Sequence, residues 1–239
     1  MKMEPLINYF KDKRIFNVLD VGTGSGNFIP KLHQTFPEAK ITGIDIDPAN
    51  LVAARQKFPE IKFLKMRAEK ILFEDNFFDV VSLSMTLHHF SKIKKSLKEI
   101  RRVVKNEGWI IINETISDNL NQPQEVHKIY HHFRSRIDSI TGTCHRKSFT
   151  KNAILQMLKI TGIHVQFFFE NKKNINLIEN KSDIDSIVNK MQQMLEKIKG
   201  HPEYDIMKPE IDTFREKALK FGIQPATNLI LVARKKPLN

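Results

Sequence analysis

Apolar runs in the first half of the chain alternate with segments whose apolar residues recur every three or four positions. The apolar runs predict five buried strands, which are IFNVLD, KITGID, IKFLKM, FDVVSLSM and GWIIINE. The segments with helical spacing are NFIPKLHQTF, PANLVAARQKF and KIKKSLKEIRRVV. This alternation predicts an α/β fold in which a mostly parallel sheet carries helices on both faces.

The pattern changes after residue 113, where two insertions are predicted, at 118–147 and 171–226. The first contains a helix near 124–140. The second contains two helices, one over 182–200 with Ser182 as its cap and one over 208–222 with Pro209 near its start. The segments FTKNAILQMLKITGI, IHVQFFFE and TNLILVARKK supply a further helix and two strands, which brings the sheet to seven strands. Residues 1–239 are therefore expected to form a single domain with two inserted caps.

Composition narrows the classes of partner. The formal net charge is +12, which either indicates a nucleic-acid partner or reflects a lysine-rich surface. The lysines are spread along the chain, which favours the second interpretation. Cys144 is the only cysteine, so no intrachain disulfide can form. No apolar run approaches the ~20 residues of a membrane helix, and the first residues lack the core of a signal peptide. A cytoplasmic protein, either monomeric or a homodimer, is expected.

Three glycines follow the first predicted strand in VLDVGTGSGNF. Gly22, Gly24 and Gly26 form a GxGxG pattern, which differs from the GxGxxG of dinucleotide-binding turns and lacks the Gly-Lys-Ser/Thr of a phosphate-binding loop. Asp45 ends the second strand, where a carboxylate can accept both hydroxyls of a ribose. The alternative for this region, a helix N-cap, suits Asp47 better because Pro48 follows it.

Together with SLSMTLHHF and EIRRVVKNEGWIIINE, these motifs resemble the class I S-adenosylmethionine-dependent methyltransferases. The similarity is greatest to the group that includes the ubiquinone- and menaquinone-biosynthesis methyltransferases, and it covers residues 18 to about 113. It implies a Rossmann-like fold and S-adenosyl-L-methionine as cofactor. It says little about the methyl acceptor.

The resemblance also implies roles for residues at the methionyl end of the cofactor. The three glycines would let the backbone approach the methionyl group. Asp20 would hold its amino group, directly or through water. Ser84 and Met85, after the fourth strand, would flank it.

At the nucleoside end, the resemblance implies that Asp45 binds the ribose and that Ile46 lies against the adenine. Ala68 would offer its backbone N–H to the adenine. Many relatives carry an acidic residue just before that alanine, whereas this chain has Arg67. Glu69 is the candidate replacement.

Two histidines follow the fourth strand, beside the expected position of the methyl group. His88 is the candidate base or acceptor contact, because histidine exchanges protons near neutral pH. His89 is expected to pack or to hydrogen-bond. No carboxylate or cysteine set accompanies them at ligand spacing, so no metal site is predicted.

The helix near 124–140 places a polar stripe beside an apolar face. Tyr130, His131 and Arg134 lie on that stripe and are candidates to line the acceptor pocket; the alternative is a solvated face.

The sequence thus favours methyl transfer to a small-molecule acceptor. One alternative is an RNA or protein methyltransferase, suggested by the +12 charge, although no Asn-Pro-Pro-Tyr signature follows the fourth strand. The other alternative, suggested by Arg67, is a non-catalytic cofactor-binding or scaffold protein.

Overall fold

The computed structural model describes residues 3–178 and 180–235. Within them, the strands are β1 Asn17–Val21, β2 Lys40–Asp45, β3 Lys62–Lys65, β4 Phe78–Ser84, β5 Val104–Thr115, β6 Ile163–Asn171 and β7 Asn228–Lys235. The α-helices are α1 Glu4–Phe10, α2 Ile29–Thr35, α3 Pro48–Lys57, α4 Ile93–Val103, α5 Gln122–Ile140, α6 Lys151–Ile160, α7 Lys181–Glu196 and α8 Glu203–Phe221. A short 3₁₀ turn, Leu87–His89, follows β4.

The strands form one sheet in the order β3-β2-β1-β4-β5-β7-β6. The pairs β1–β2, β1–β4, β2–β3 and β4–β5 are parallel. The predicted seven-stranded, mostly parallel sheet is therefore confirmed. The strand order turns around between β1 and β4, so the carboxyl ends of these strands border the crevice where ligands of such sheets bind.

Both faces of the sheet are buried at its central strands. Val18, Val80 and Ile111 belong to a core cluster that also contains buried residues of α1, α2 and α3. Their chain neighbours Leu19 and Val81 are completely buried as well. Because successive strand residues point to opposite faces, burial of both sets shows that these central strands are covered on both sides.

The chain divides into two compact units. The sheet unit contains residues up to Glu114, Asn152–Asn171 and residues from Leu229 onward. The helical unit contains Thr115–Lys151 and Lys172–Asn228. The helical insertions that were predicted after the fifth strand and between the sixth and seventh strands are confirmed as α5 and as the pair α7 and α8.

The helical unit has its own apolar core, to which α5, α7 and α8 all contribute. Val126, Phe133 and Ile137 of α5 pack with Met191 of α7 and Phe214 of α8. The predicted apolar face of the first insertion is thus buried within this unit.

Two details of the second insertion were predicted wrongly. The N-cap of α7 is Asn180 rather than Ser182, because Asn180 forms a reciprocal capping box with Asp183. Pro209 lies inside α8, which begins at Glu203, rather than near its start. Gly222 follows α8 with φ +73° and ψ −170°, a combination that glycine adopts without steric cost.

Candidate active site

The glycine loop after β1 is built from three left-handed residues. Gly22, Gly24 and Gly26 have φ values of +68°, +54° and +80°, a region that glycine adopts without steric cost. A Cβ on Gly22 would lie 2.0 Å from Thr86 Oγ1, and one on Gly26 would lie 2.8 Å from the ring of Phe58. A Cβ on Gly24 would meet nothing within 4 Å. The outer glycines are therefore required by packing, whereas the middle one faces open space.

Asp20, near the end of β1, is a buried carboxyl with one oxygen unsatisfied. Its Oδ1 accepts a hydrogen bond of 2.7 Å from the Ser82 hydroxyl, whereas Oδ2 and the neighbouring Thr23 Oγ1 have no hydrogen bond of ordinary geometry. Burial raises the pKa of Asp20 to about 6, opposed by the nearby hydroxyls of Ser82 and Thr23 and reinforced by the charge of Asp45. A cationic group at Oδ2 would relieve this cost.

Asp45 supports the glycine loop from the end of β2. Its Oδ2 accepts a 2.8 Å hydrogen bond from the Gly24 N–H, and its Oδ1 accepts a 2.9 Å bond from the Asp47 N–H. Asp47 is the N-cap of α3, as predicted, and accepts from the Ala49 N–H. The Asp45 carboxylate is half-buried and has lone pairs left for further donors. Ile46 beside it is 55% exposed, which leaves an apolar surface next to that carboxylate.

The segment after β3 contains Ala68, which is buried. Arg67 and Glu69 on either side of it form an ion pair, with 3.6 Å between Arg67 Nε and Glu69 Oε2. Glu69 also accepts a 2.6 Å hydrogen bond from Ser91. Burial would raise the pKa of Glu69, but hydrogen bonds from Ser91 and the backbone, with the charge of Arg67, hold it below its usual value. Arg67 thus orients Glu69, which is the candidate to accept a hydrogen bond from the adenine.

The backbone is strained where β4 ends. Met85 has φ +53° and is 40% exposed; a non-glycine residue in this region costs about 1–2 kcal/mol. Asn113 of β5 holds the segment, because its carbonyl accepts from the Met85 N–H at 2.8 Å and its side chain donates to Ser84 Oγ at 2.8 Å. Such strain is often found at ligand sites.

His88 forms a buried pair with Glu114, which lies near the end of β5. His88 Nδ1 is 2.8 Å from Glu114 Oε1, and the two side chains are 6% and 1% exposed. The His89 ring lies 4.2 Å from that of His88, measured between centroids. Sequence reasoning missed Glu114. The available signal was a carboxylate closing an otherwise apolar strand, as Asp20 and Asp45 do in β1 and β2.

In the helical unit, two of the three residues predicted to bind the methyl acceptor belong to a set of contacts around the buried His145. His131 Nε2 lies 3.2 Å from His145 Nε2, and His145 Nδ1 lies 2.7 Å from Asp138 Oδ2. Arg134 Nε is 3.4 Å from the same carboxylate oxygen. Tyr130 instead packs against the apolar core of the unit.

Residues 19–112 match the family model described as "Methyltransferase domain". This segment is therefore similar to methyltransferase domains. The chain is also similar to the demethylmenaquinone methyltransferase of Chlorobaculum tepidum, with 34% identity over 132 residues, which are 55% of this chain and 53% of that protein. The chain thus spans about half the length of the curated relatives it matches.

Solved structures match the methyltransferase fold over nearly the whole chain. A putative methyltransferase from Bacillus halodurans has a TM-score of 0.66 at 18% identity and covers 99% of both chains. A structure described as SAM-dependent methyltransferases from Methanosarcina mazei has a TM-score of 0.63 at 16% identity and covers both chains completely. At these identities the likeness concerns the fold. No helix among the described residues is long and apolar enough to cross a membrane.

Proposed function

We propose that this protein is an S-adenosylmethionine-dependent methyltransferase that acts on a small-molecule acceptor. The observation that carries the proposal is Asp20, a buried carboxyl with an unsatisfied oxygen near the carboxyl end of the central strand β1. The cofactor has an ammonium group, which would donate a hydrogen bond to this oxygen. The glycine loop that follows Asp20 has open space in front of Gly24.

The chemistry of the residues present supplies a candidate contact for each part of the cofactor. Asp20 would bind the ammonium group, and Asp45 would accept from the ribose hydroxyls. Further contacts would come from the Gly22, Gly24 and Gly26 backbone, Ile46, Ala68, Glu69, Ser84 and Met85. When bound, S-adenosyl-L-methionine supplies a methyl group on a sulfonium, so the protein's own task is to place an acceptor in line with that group.

Gly24 allows a sharp test of this site. G24A adds a methyl group that meets nothing within 4 Å in the protein, so only a bound ligand would collide with it. G200A is the matched control, since Gly200 also has a positive φ and nothing within 4 Å. Both variants should lose about 1–2 kcal/mol of folding free energy from backbone strain. In calorimetry with S-adenosylhomocysteine, wild type and G200A should bind and G24A should bind at least tenfold more weakly. Absence of binding to wild type would refute the proposal.

The acceptor itself is a separate question. The relatives are named for demethylmenaquinone, so demethylmenaquinone reduced chemically to its quinol is the first probe. Transfer of a labelled methyl group from the cofactor to this probe would identify a quinol acceptor. Tyr130, His131 and Arg134 stay the proposed acceptor-binding residues, and alanine variants at these positions should raise KM for the acceptor.

The net charge of +12 favours one alternative, an RNA methyltransferase. Lys92, Lys94, Lys95 and Lys98 gather at the start of α4 and line one shallow depression. A salt-sensitive gel shift with tRNA at sub-micromolar affinity, together with methyl incorporation into the tRNA, would favour that alternative. A chain that binds S-adenosylhomocysteine but methylates neither probe would favour the scaffold alternative.

The main proposal also includes a cytoplasmic location, which the single cysteine favours, and a monomeric or homodimeric state.

A further inference from the structure

The two edge strands of the sheet differ in how well they resist pairing with another chain. At one edge, β3 is four residues long and begins and ends with the exposed lysines Lys62 and Lys65. Short length and lysine are features that keep an edge strand from adding further strands. At the other edge, β6 is nine residues long, and its sequence IHVQFFFEN has no lysine, arginine or proline. Among residues 3–178 and 180–235, no strand pairs with the outer side of β6.

We propose that the outer side of β6 pairs antiparallel with β6 of a second copy of this chain. The two sheets then continue into one another across a two-fold axis, which passes through Phe167 at the middle of the strand. This inference goes beyond the proposed function, because the pairing needs neither the cofactor nor the methyl acceptor.

The symmetry and the length of β6 determine which residues meet. Directly opposite residues of a strand pair point to the same face of the sheet, so odd-numbered residues must oppose odd-numbered ones. A symmetric antiparallel pair therefore has one residue that faces its own copy. An axis at Phe167 opposes all nine residues of β6, whereas an axis at any other residue leaves the ends of the strand unpaired.

On one face of β6, this register brings attractive groups together. The exposed residues His164 and Glu170 lie on the same face, three positions before and three positions after Phe167. His164 therefore faces Glu170 of the second copy, and the same contact recurs at the other end of the pair. An imidazole N–H donates to a carboxylate in either protonation state of the ring, and a carboxylate accepts several hydrogen bonds at once. Such opposite pairs stabilise adjoining strands.

The other face of β6 is aromatic and only half-buried. The ring of Phe167 stacks on that of Tyr9 in α1, with 5.5 Å between centroids and 8° between planes, and the Phe169 ring lies 5.7 Å from that of Phe167. All three rings pack against the core of the sheet unit. In the proposed register Phe167 meets its own copy and Val165 meets Phe169 of the second copy. Aromatic pairs and pairs of aromatic with β-branched residues favour strand pairing.

Sedimentation velocity of the full chain over a concentration series measures the association. Wild type should form a dimer of twice the 27.9 kDa chain mass. H164E opposes like charges at both ends of the pair and should raise the dimer dissociation constant at least about tenfold. The exchanged variant H164E/E170H opposes attractive groups again and should return the constant to within about threefold of wild type. Q56E adds the same charge at an exposed position of α3, which packs on β2 and β3, and should match wild type.

Disulfide capture tests the register itself. C144S removes the only native cysteine, and H164C and E170C are prepared separately on that background. Opposed residues have Cα atoms about 4.5–5.5 Å apart, a separation that a disulfide spans. An oxidised mixture of the two variants should therefore contain a linked dimer. Neither variant alone should form one, because each cysteine lies six residues, about 20 Å, along the strand from its own copy.

Four results would overturn the inference. These are a wild type that stays monomeric up to about 100 μM, a dimer that H164E leaves intact, a mixture that gives no linked dimer, and a linked dimer from H164C alone. Both measurements use the ligand-free protein. Their failure therefore leaves the proposed function standing, and a wild type that does not bind S-adenosylhomocysteine leaves the strand pairing standing.

Discussion

At the scale of single residues, the burial of the Asp20 carboxyl makes the stability of the folded protein depend on pH. Its pKa of about 6 exceeds the ordinary value of 3.8, so the folded state binds its proton more tightly than the unfolded state does. The resulting stabilisation is complete below pH 4 and is lost as the pH rises through 6. The difference between these two pKa values corresponds to about 3 kcal/mol in the free energy of unfolding.

D20N removes this ionisation and should be stabilising only where wild-type Asp20 is charged. The free energy of unfolding of D20N, relative to wild type, should be higher at pH 7 than at pH 4 by about 3 kcal/mol. Urea denaturation of the ligand-free proteins at both pH values measures this. S-adenosylhomocysteine should bind wild type more tightly at pH 7 than at pH 5, since its ammonium pairs with the ionised carboxyl. An equal D20N difference at both pH values would contradict the burial argument.

At the scale of elements, most strands and helices of the sheet unit were predictable because each sequence pattern acts locally, whereas the short helix α1, Glu4–Phe10, was not predicted. Asp47 and Pro48 mark the start of α3, and the glycines mark the end of β1. The His88–Glu114 contact was not predictable from such patterns, because it depends on β4 lying beside β5. The Arg134–Asp138 pair follows helical spacing, whereas the link from Asp138 to His145 needs the loop geometry after α5.

The position of Pro209 inside α8 is a weak point of the helical unit. Proline has no N–H to donate to the carbonyl four residues earlier, and its ring crowds that carbonyl. P209A should therefore stabilise the protein by about 1–3 kcal/mol in urea denaturation. K208A at the neighbouring exposed position should change stability by less than about 0.5 kcal/mol. A destabilised P209A would mean that this residue is needed for something other than helix continuity.

At the scale of the whole molecule, tryptophan fluorescence reports on the unfolding of the sheet unit and not on that of the helical unit. Trp109 is the only tryptophan and packs edge-on against Phe10, with the Arg234 guanidinium 4.9 Å from its ring centroid. These residues belong to the sheet unit.

Cofactor binding should therefore stabilise the unit that Trp109 reports. At a hundredfold excess over Kd, S-adenosylhomocysteine should add about 2.7 kcal/mol and raise the fluorescence-detected midpoint of thermal unfolding by about 5–10 °C. G24A should show a much smaller shift. Binding by calorimetry without a shift of this midpoint would place the ligand outside the sheet unit.

The place of β7 in the strand order has a consequence for the growing polypeptide. β7 lies between β5 and β6, although it follows both along the chain. More than fifty residues separate β6 from β7. Until the ribosome has added them and β7 itself, β6 has no partner strand with which to pair. Its phenylalanine-rich sequence, IHVQFFFEN, then presents the kind of unpaired strand to which chaperones bind and from which aggregates start.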